Sequence, residues 1–268
     1  MNTKNFEFLK DGLKYMGFGE KLNGDLEAKI KEQPTEFQLP MQGEFKKDNV
    51  TEKVDYKLDF KKSDTTDMYF FNRYQATLKN DDPTKEKTQT FYITKNAGIT
   101  AKEAFNLLSG RSVNKDLTNK EGQPFNAWLK LDFTEKDKND NFKVKQFSSG
   151  YGYELDKVLD KFPIKELGDA EQKEKMMKSL EKGNMTSVTF NKDGKEDKMF
   201  IEANPQFKTL NVYDASMKKI YQENEKRETK QEPSKAPEKK ETVKKGVNEE
   251  EDDSTTQKKR PKRRGVGV

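Results

Sequence analysis

Three cationic side chains and the single tryptophan lie close together in the sequence. The segment 109–125 has almost no apolar residues and leads directly to Trp128. It carries the cations Arg111, Lys115 and Lys120. Single-stranded nucleic acid is held by such a combination, because bases stack on aromatic rings while phosphates contact Lys and Arg. A polar connection of this length is typical of a binding loop, so we predict a nucleic-acid-binding loop here.

The accessibility of Trp128 decides whether this loop can act as a binding platform. In the predicted strand around it, Trp128 points to the face opposite Ala127 and Leu129. We therefore expect Trp128 and Arg111 to lie on one solvent-accessible surface. The alternative is that the loop covers Trp128 and forms a second small core, in which case there is no platform.

Two further aromatic segments are candidates for the same surface. Tyr151 lies in a flexible turn between two glycines, which could line a binding surface or simply lead into the next helix. In the segment 68–74, period-two alternation places Tyr69 and Phe71 on one face of a predicted strand and Phe70 and Tyr74 on the other. Either both faces pack, which is the commoner outcome for a central strand, or one is a binding platform.

The C-terminal segment contains blocks of opposite charge. Glu249–Asp253 is an unbroken acidic run, and a basic cluster follows it. Basic clusters contact phosphate backbones without reading base sequence, and an acidic run in the same chain competes for them. The alternative is a solubilising tail without a partner. The basic cluster consists of Lys258, Lys259, Arg260, Lys262, Arg263 and Arg264.

The composition excludes most familiar enzyme chemistry. The chain has no Cys and no His, which removes thiolate nucleophiles, Ser-His triads and most zinc sites. The spacing of Asp137, Asn139 and Asn141 matches the start of a calcium loop, but Phe142 stands where the turn needs Gly. We therefore predict a non-enzymatic protein without cofactor or metal. An enzyme that uses only carboxylates and Lys is the least favoured alternative.

Charge and hydropathy divide the chain into a foldable body and a tail. The chain has 268 residues, a net charge of +5 and 30% hydrophobic residues. Every aromatic residue lies at or before Tyr221, and we predict that residues 222–268 are disordered because they have little to bury. The sequence contains neither a signal-peptide core nor a membrane-spanning apolar stretch. We expect a cytoplasmic protein without membrane association, and its oligomeric state stays open.

Hydrophobic periodicity predicts the elements that position these residues. Apolar residues at helical spacing over 6–30 predict a pair of helices that ends before Pro34. From residue 36 to 78 the period changes to two, which is typical of three half-buried antiparallel strands. A fourth strand over 88–94 follows, and then a helix that begins at the capping box Thr100–Glu103.

The second half of the chain continues with hairpins and short helices. A hairpin is predicted around the polar loop 134–141, two helices before Pro163 and Gly183, and a second hairpin at Asp193-Gly194 with a last strand to Tyr213. The predicted fold class is α+β, with an antiparallel sheet and flanking helices, a smaller helix-plus-hairpin unit and a disordered C-terminal tail. The predicted units are a helical pair (1–34), an antiparallel strand-rich domain (35–147), a helix and hairpin unit (148–221) and the tail (222–268).

The chain also contains the motifs Met68–Asn72, Val113–Gly122, Pro163–Leu167 and Met199–Lys208. Together they resemble a family of uncharacterised proteins carried on conjugative elements and plasmids of Bacteroidota, over residues 1–221. The part from Lys192 to Asp214 is also similar to a domain of unknown function found beside topoisomerase-related and mobilisation proteins. This resemblance implies a bacterial cytosol and a mobile element that handles DNA.

These features predict a non-enzymatic accessory protein of a conjugative or mobilisable element that binds nucleic acid weakly and without sequence specificity. The alternative is a protein-interaction module, such as an adaptor or an inhibitor of a host enzyme, whose exposed loop and tail contact protein instead. The sequence identifies neither the partner nor a preference for single or double strands.

Overall fold

The structure is a computed structural model that describes residues 1–47, 50–93, 98–192 and 194–220. In these residues the chain forms five α-helices and three antiparallel sheets. The predicted α+β class, with antiparallel strands and flanking helices, is confirmed. None of the helices in these ranges combines the length and the apolar character that a membrane span requires. The prediction of disorder for 222–268 concerns a part of the chain outside the described residues.

The N-terminal half is built on a four-stranded sheet whose strands follow one another in chain order. Alternation of polar and apolar residues gives it one buried face, with Val54, Tyr56 and Leu58 pointing inward. The predicted helical pair and strand meander are confirmed. The elements are α1 (Thr3–Tyr15), α2 (Asn23–Glu32), β1 (Glu36–Lys47), β2 (Val50–Lys62), β3 (Tyr69–Leu78), β4 (Lys87–Tyr92) and α3 (Ala101–Leu108).

Helices α1, α2 and α3 cover the inward face of this sheet with their apolar stripes. Two buried tyrosines attach the start of α3 to the strands. The hydroxyl of Tyr56 donates to the carbonyl of Ala101 at 2.7 Å, and the hydroxyl of Tyr74 donates to the carbonyl of Ile99 at 2.6 Å. Because a buried hydroxyl without a partner is costly, these bonds fix where α3 lies on the sheet.

A three-stranded sheet follows, with strands β5 (Val113–Thr118), β6 (Pro124–Lys136) and β7 (Phe142–Ser148) in that order. The predicted hairpin of β6 and β7 is confirmed. The predicted binding loop over 109–125 is wrong, because its middle part is strand β5, paired with β6. The polar residues of this segment are those of an edge strand, whose first residue, Val113, is fully buried.

The last part of the described chain contains two helices and a third sheet, with strand order β11-β10-β9-β8. The predicted helices and hairpin are confirmed. The second helix begins where Asp169 Oδ1 accepts the N–H of Gln172 at 2.8 Å. The last long strand begins at Thr209 because a 3-10 turn takes up 205–207. The elements are α4 (Leu155–Leu159), α5 (Ala170–Glu181), β8 (Thr186–Lys192), β9 (Lys195–Asn204), β10 (Thr209–Tyr213) and β11 (Lys219–Ile220).

Two hydrophobic clusters share the middle sheet. Leu129 and Leu131 of β6 belong to the cluster formed with α1, α2, α3 and the first sheet. Trp128 of β6 and Phe147 of β7 belong to the cluster formed with α4, α5 and the third sheet. Since neighbouring residues of a strand point to opposite faces, β6 is buried on both sides. Contacts of Trp128 and Phe147 therefore cross the boundary predicted between 35–147 and 148–221.

Candidate nucleic-acid interface

Trp128 lies in the second hydrophobic cluster, not on the surface. Its side chain is 5% exposed, and its ring packs edge-on against Tyr153 with 5.4 Å between the ring centroids. The prediction that Trp128 lies on a solvent-accessible surface with Arg111 is wrong. As the alternative predicted, Trp128 lies in a second core. The residues that cover its ring come after residue 148, however, and not from the segment 109–125. The alternation of side chains between the two faces of a strand does not predict exposure here, because both faces of β6 are packed.

Arg111 is buried between α3 and the third sheet. It is 6% exposed, and its Nη2 and Nε donate to Asn106 Oδ1 at 2.6 and 3.2 Å. The guanidinium lies over the ring of Phe105, 4.9 Å from its centroid. Desolvation by burial lowers the pKa of Arg111, while the charges of Glu202 and Glu52 act in the opposite direction. Arg111 is thus a desolvated cation and not part of an open loop.

The two lysines of the same segment differ from each other. Lys115 Nζ lies 3.2 Å from Glu103 Oε2, and the two side chains are 17% and 9% exposed. This pair joins β5 to α3, so its charge is already matched by a carboxylate. Lys120 is exposed in the turn between β5 and β6. The segment therefore does not present three cations on one surface.

Tyr151 is partly exposed, at 38%. Its hydroxyl donates to the carbonyl of Gln206 at 2.7 Å, and Lys208 Nζ lies 4.7 Å from the centroid of its ring. This pairing of ring and cation holds the turn before α4 against the third sheet. The six cations of the predicted C-terminal cluster lie outside the described residues; they are Lys258, Lys259, Arg260, Lys262, Arg263 and Arg264.

The outward face of the first sheet carries exposed aromatic and polar side chains. A β-bulge in the pairing of β2 with β3 makes Asn72 an extra residue between Phe71 and Arg73. As a result Tyr69, Phe71 and Tyr74 all contribute to the first cluster, and the predicted division of these rings between two faces is wrong for Tyr74. Phe70 remains on the opposite face and is 45% exposed.

Three exposed side chains of β3 and β4 lie on this face. Arg73 is the register partner of Tyr92, which is 53% exposed, and Phe70 precedes Arg73 on β3. We call the outward side chains of β1 to β4 the outer face. The Tyr92 ring carried no signal in the sequence, because an aromatic residue at the end of a strand is as often buried as exposed.

Arg73 is fixed in position by a small polar network. Its Nε donates to Asp59 Oδ2 at 2.6 Å, and Gln38 Nε2 donates to Asp59 Oδ1 at 2.6 Å. Hydrogen bonding and the charge of Asp59, with a hydrogen bond to the Tyr92 hydroxyl, raise the pKa of Arg73. The guanidinium stays charged and half exposed.

Two adjoining hollows lie on the outer face, of about 600 and about 270 Å³, and both include Gln38, Arg73 and Tyr92 in their lining. The turn between β6 and β7 forms one wall, where Asn141 Oδ1 accepts the N–H of Thr90 at 2.8 Å. Amides, exposed rings and a guanidinium are the groups that contact base edges, base faces and phosphates of unpaired strands. In the part of the chain that the structure describes, no cluster of three or more acidic, His or Cys side chains could hold a metal ion.

Comparisons of the chain with protein-family models, with curated proteins and with solved structures gave no significant match.

Proposed function

We propose that this chain is a non-enzymatic accessory protein of a conjugative or mobilisable element that binds single-stranded nucleic acid, weakly and without sequence specificity, on its outer face. One observation carries the proposal: Phe70, Arg73 and Tyr92 are exposed on a sheet face that none of the described helices covers. The link to mobile elements rests on the motifs that resemble the family described above. No chemical step is part of this function.

The chemistry of the outer face favours unpaired strands. A base that stacks on an exposed ring contributes about 1–3 kcal/mol, and stacking tolerates any base. The lining amides, such as Gln38 and Asn72, can both donate to and accept from base edges. Lys57 and Lys61 are exposed on β2, but Asp59 lies between them. Because the face carries both charges, attraction of phosphate is modest, and binding is weak unless the basic tail adds to it.

The test replaces Phe70 and Tyr92 singly by Ala and measures fluorescence anisotropy of a labelled single-stranded oligonucleotide. Each substitution should weaken binding by about 5- to 150-fold, which corresponds to the loss of one stacked base. Phe8→Ala and Tyr15→Ala are matched controls, because these rings are 71% and 85% exposed on α1. Equal losses in both sets, or no binding by the unchanged protein at low salt, would show that the outer face is not a nucleic-acid site.

The second candidate function, protein interaction, is suggested by the two control residues. Phe8 and Tyr15 are seven residues apart and lie on one exposed side of α1. Exposed aromatic residues at helical spacing are typical anchors for a protein partner. If the chain is a protein-interaction module, a partner protein should copurify with it after nuclease treatment. This partner should be lost from the Phe8→Ser and Tyr15→Ser variants. Retention that depends on intact nucleic acid favours the first proposal instead.

A further inference from the structure

A second cleft lies between α3 and the start of the third sheet, and it shares no lining residue with the hollows of the outer face. Its volume is about 220 Å³. This is smaller than the roughly 300–1,000 Å³ of sites for drug-sized ligands, so the ligand of such a cleft is small or only partly enclosed. The residues that matter here are Lys46, Lys102, Asn106, Arg111, Met185 and Phe200.

Arg111 provides a buried cation at the cleft. Its Nε and Nη2 donate to Asn106, whereas its Nη1 has no protein acceptor among the described residues. In the same part of the chain, no carboxylate lies within 4.0 Å of the guanidinium, unlike those beside Arg73 and Lys115. Since a buried guanidinium is almost always paired with an anion, the unused donors of Arg111 point to an anionic ligand.

Asn106 holds this guanidinium in a fixed orientation. Asn106 is 1% exposed, and its Nδ2 donates to the carbonyl of Lys182 at 2.6 Å and to Asn184 Oδ1 at 3.1 Å. These two bonds orient its Oδ1 toward Arg111. The ring of Phe105 supports the other side of the guanidinium. The donors are therefore positioned before any ligand arrives, which lowers the entropic cost of binding.

The rest of the cleft is basic and partly apolar. Lys46 and Lys102 are exposed at its rim, and neither forms an ion pair with a carboxylate in the described ranges. Among the residues that the structure describes, no acidic side chain lines the cleft. Glu202, whose charge acts on Arg111 from beyond ion-pair distance, accepts from Asn211 and Tyr213 at 2.8 and 2.7 Å. Met185 and Phe200 add an apolar wall.

We propose that this cleft binds a phosphate monoester, with the phosphate on Arg111 between Lys46 and Lys102 and an apolar part of the ligand against Met185 and Phe200. Guanidinium and ammonium groups match phosphate oxygens in charge and in hydrogen-bonding capacity. The ester comes from one of two sources, a free mononucleotide or the 5′-phosphate at the end of a nucleic-acid strand. The inference does not depend on binding at the outer face.

Titration calorimetry of the full chain with thymidine 5′-monophosphate tests this site, with thymidine as the ligand that lacks the phosphate. The monophosphate should bind and thymidine should not. Lys46→Ala and Lys102→Ala should each weaken binding severalfold, and Arg111→Lys by about tenfold or more, because Lys keeps the charge but loses the planar fork. Lys175→Ala, an exposed lysine of α5 outside the cleft, is the matched control and should bind normally.

The variants at Lys46 and Lys102 keep the test decisive even if Arg111→Lys does not fold, because both lysines are on the surface. Absence of saturable binding by the monophosphate, or binding that both rim substitutions leave unchanged, would overturn the proposal. Oligonucleotides with and without a 5′-phosphate identify the source. If the 5′-phosphate tightens oligonucleotide binding and Lys102→Ala removes this gain, the ligand is the strand end. If the cleft substitutions affect only mononucleotide binding, the ligand is the free mononucleotide. Tyr92→Ala should leave mononucleotide binding and the gain from the 5′-phosphate unchanged, although it should weaken both oligonucleotides to the same extent.

Discussion

At the scale of single residues, the cations of this protein differ mainly in what balances their charge. Arg73 is matched by Asp59 and Lys115 by Glu103, at 2.6 and 3.2 Å. Arg111 has an amide oxygen in place of a carboxylate. A cation in a direct ion pair contributes little further attraction for a phosphate. A desolvated cation without such a pair retains more of it, although the charges of Glu202 and Glu52 reduce the attraction at Arg111. The difference is invisible in the sequence, where all three are simply cations.

Trp128 gives the most direct spectroscopic test of the second cluster. Because its ring is 5% exposed, its emission should be blue-shifted and shielded from iodide in the folded protein. Trp128→Ala should lower the free energy of unfolding by about 3–5 kcal/mol, the usual cost of removing a large buried aromatic side chain. Tyr151→Ala, at a partly exposed ring nearby in the chain, should cost much less. Emission and quenching like those of free tryptophan would contradict this burial.

Two buried tyrosines make stability depend on alkaline pH. Desolvation by burial raises the pKa of Tyr56 and of Tyr74 well above the usual value near 10. Above about pH 10 the unfolded chain loses these protons while the folded chain keeps them, so the free energy of unfolding should fall as pH rises further. Below that pH the contribution is fully present.

Tyr56→Phe separates this effect from general alkaline unfolding. At pH 7 it should cost about 1 kcal/mol, because the hydroxyl bond to Ala101 is lost. Above pH 10 the variant should lose stability less steeply than the unchanged protein in urea titrations. Identical slopes, together with tyrosine absorbance that titrates normally in the folded state, would be inconsistent with the burial described here.

Only part of the candidate sites follows from the sequence at this scale. Arg111 is recognisable because it is a cation in a segment with few apolar residues. Its burial is not, because the orientation of Asn106 depends on Lys182, 76 residues away. The alternation of aromatic residues in its strand indicated that Phe70 could be exposed, whereas nothing in the sequence indicated this for Tyr92. Contacts between distant segments, not local pattern, decide which of these side chains reach a ligand.

At the scale of elements, hydrophobic periodicity was sufficient to predict each strand or helix that has one buried face. The apolar spacing of α1 and the capping box of Thr100 and Glu103 located those helices correctly. Strand β5 was missed because Asn114, Lys115 and Asp116 have low strand propensity and stand on an edge strand. The bulge at Asn72 was missed because an extra residue shifts the parity of everything after it.

Gly183 should be intolerant of a side chain, because it joins two elements. It follows α5 with φ +75°, and an added Cβ would lie 2.8 Å from the carbonyl oxygen of Ser112. Gly183→Ala should therefore destabilise the protein by about 1–3 kcal/mol. Gly12→Ala is the control: Gly12 lies inside α1, and an added Cβ would have no atom within 4 Å apart from its chain neighbours and the backbone of its own helix. Ala should therefore stabilise by up to about 1 kcal/mol. Equal urea midpoints for the two variants would refute the close approach at Gly183.

At the scale of the whole molecule, we expect the C-terminal segment 222–268 and the described part of the chain to contribute differently to the proposed binding. A chain that ends at Gln257 lacks six cations that lie beyond it. If the tail contacts phosphates, this truncation should weaken binding to duplex DNA and reduce the salt slope of log K by up to about 5, at about 0.9 per lost contact. Binding should weaken similarly on unrelated sequences, because phosphate contacts carry no base information.

Removal of the acidic run Glu249–Asp253 is the complementary variant. If that run competes with nucleic acid for the basic cluster, its removal should tighten binding and increase the salt slope. Anisotropy titrations at several salt concentrations measure both effects. An unchanged slope in the truncated chain would assign the electrostatic contribution to the folded part instead.

The chain-order arrangement of strands has a consequence for the kinetics of folding. Each sheet is a meander in which neighbouring strands are also neighbours in sequence, so most pairings close short loops and form early. The bonds of Asn106 to Lys182 and Asn184 span far more of the chain. Each sheet can thus form on its own, and we expect the cleft at Arg111, which needs these long-range bonds, to be completed last. Recovery of 5′-monophosphate binding before the amides of β2, β3, β8 and β9 are protected in pulse-labelling exchange would contradict that order.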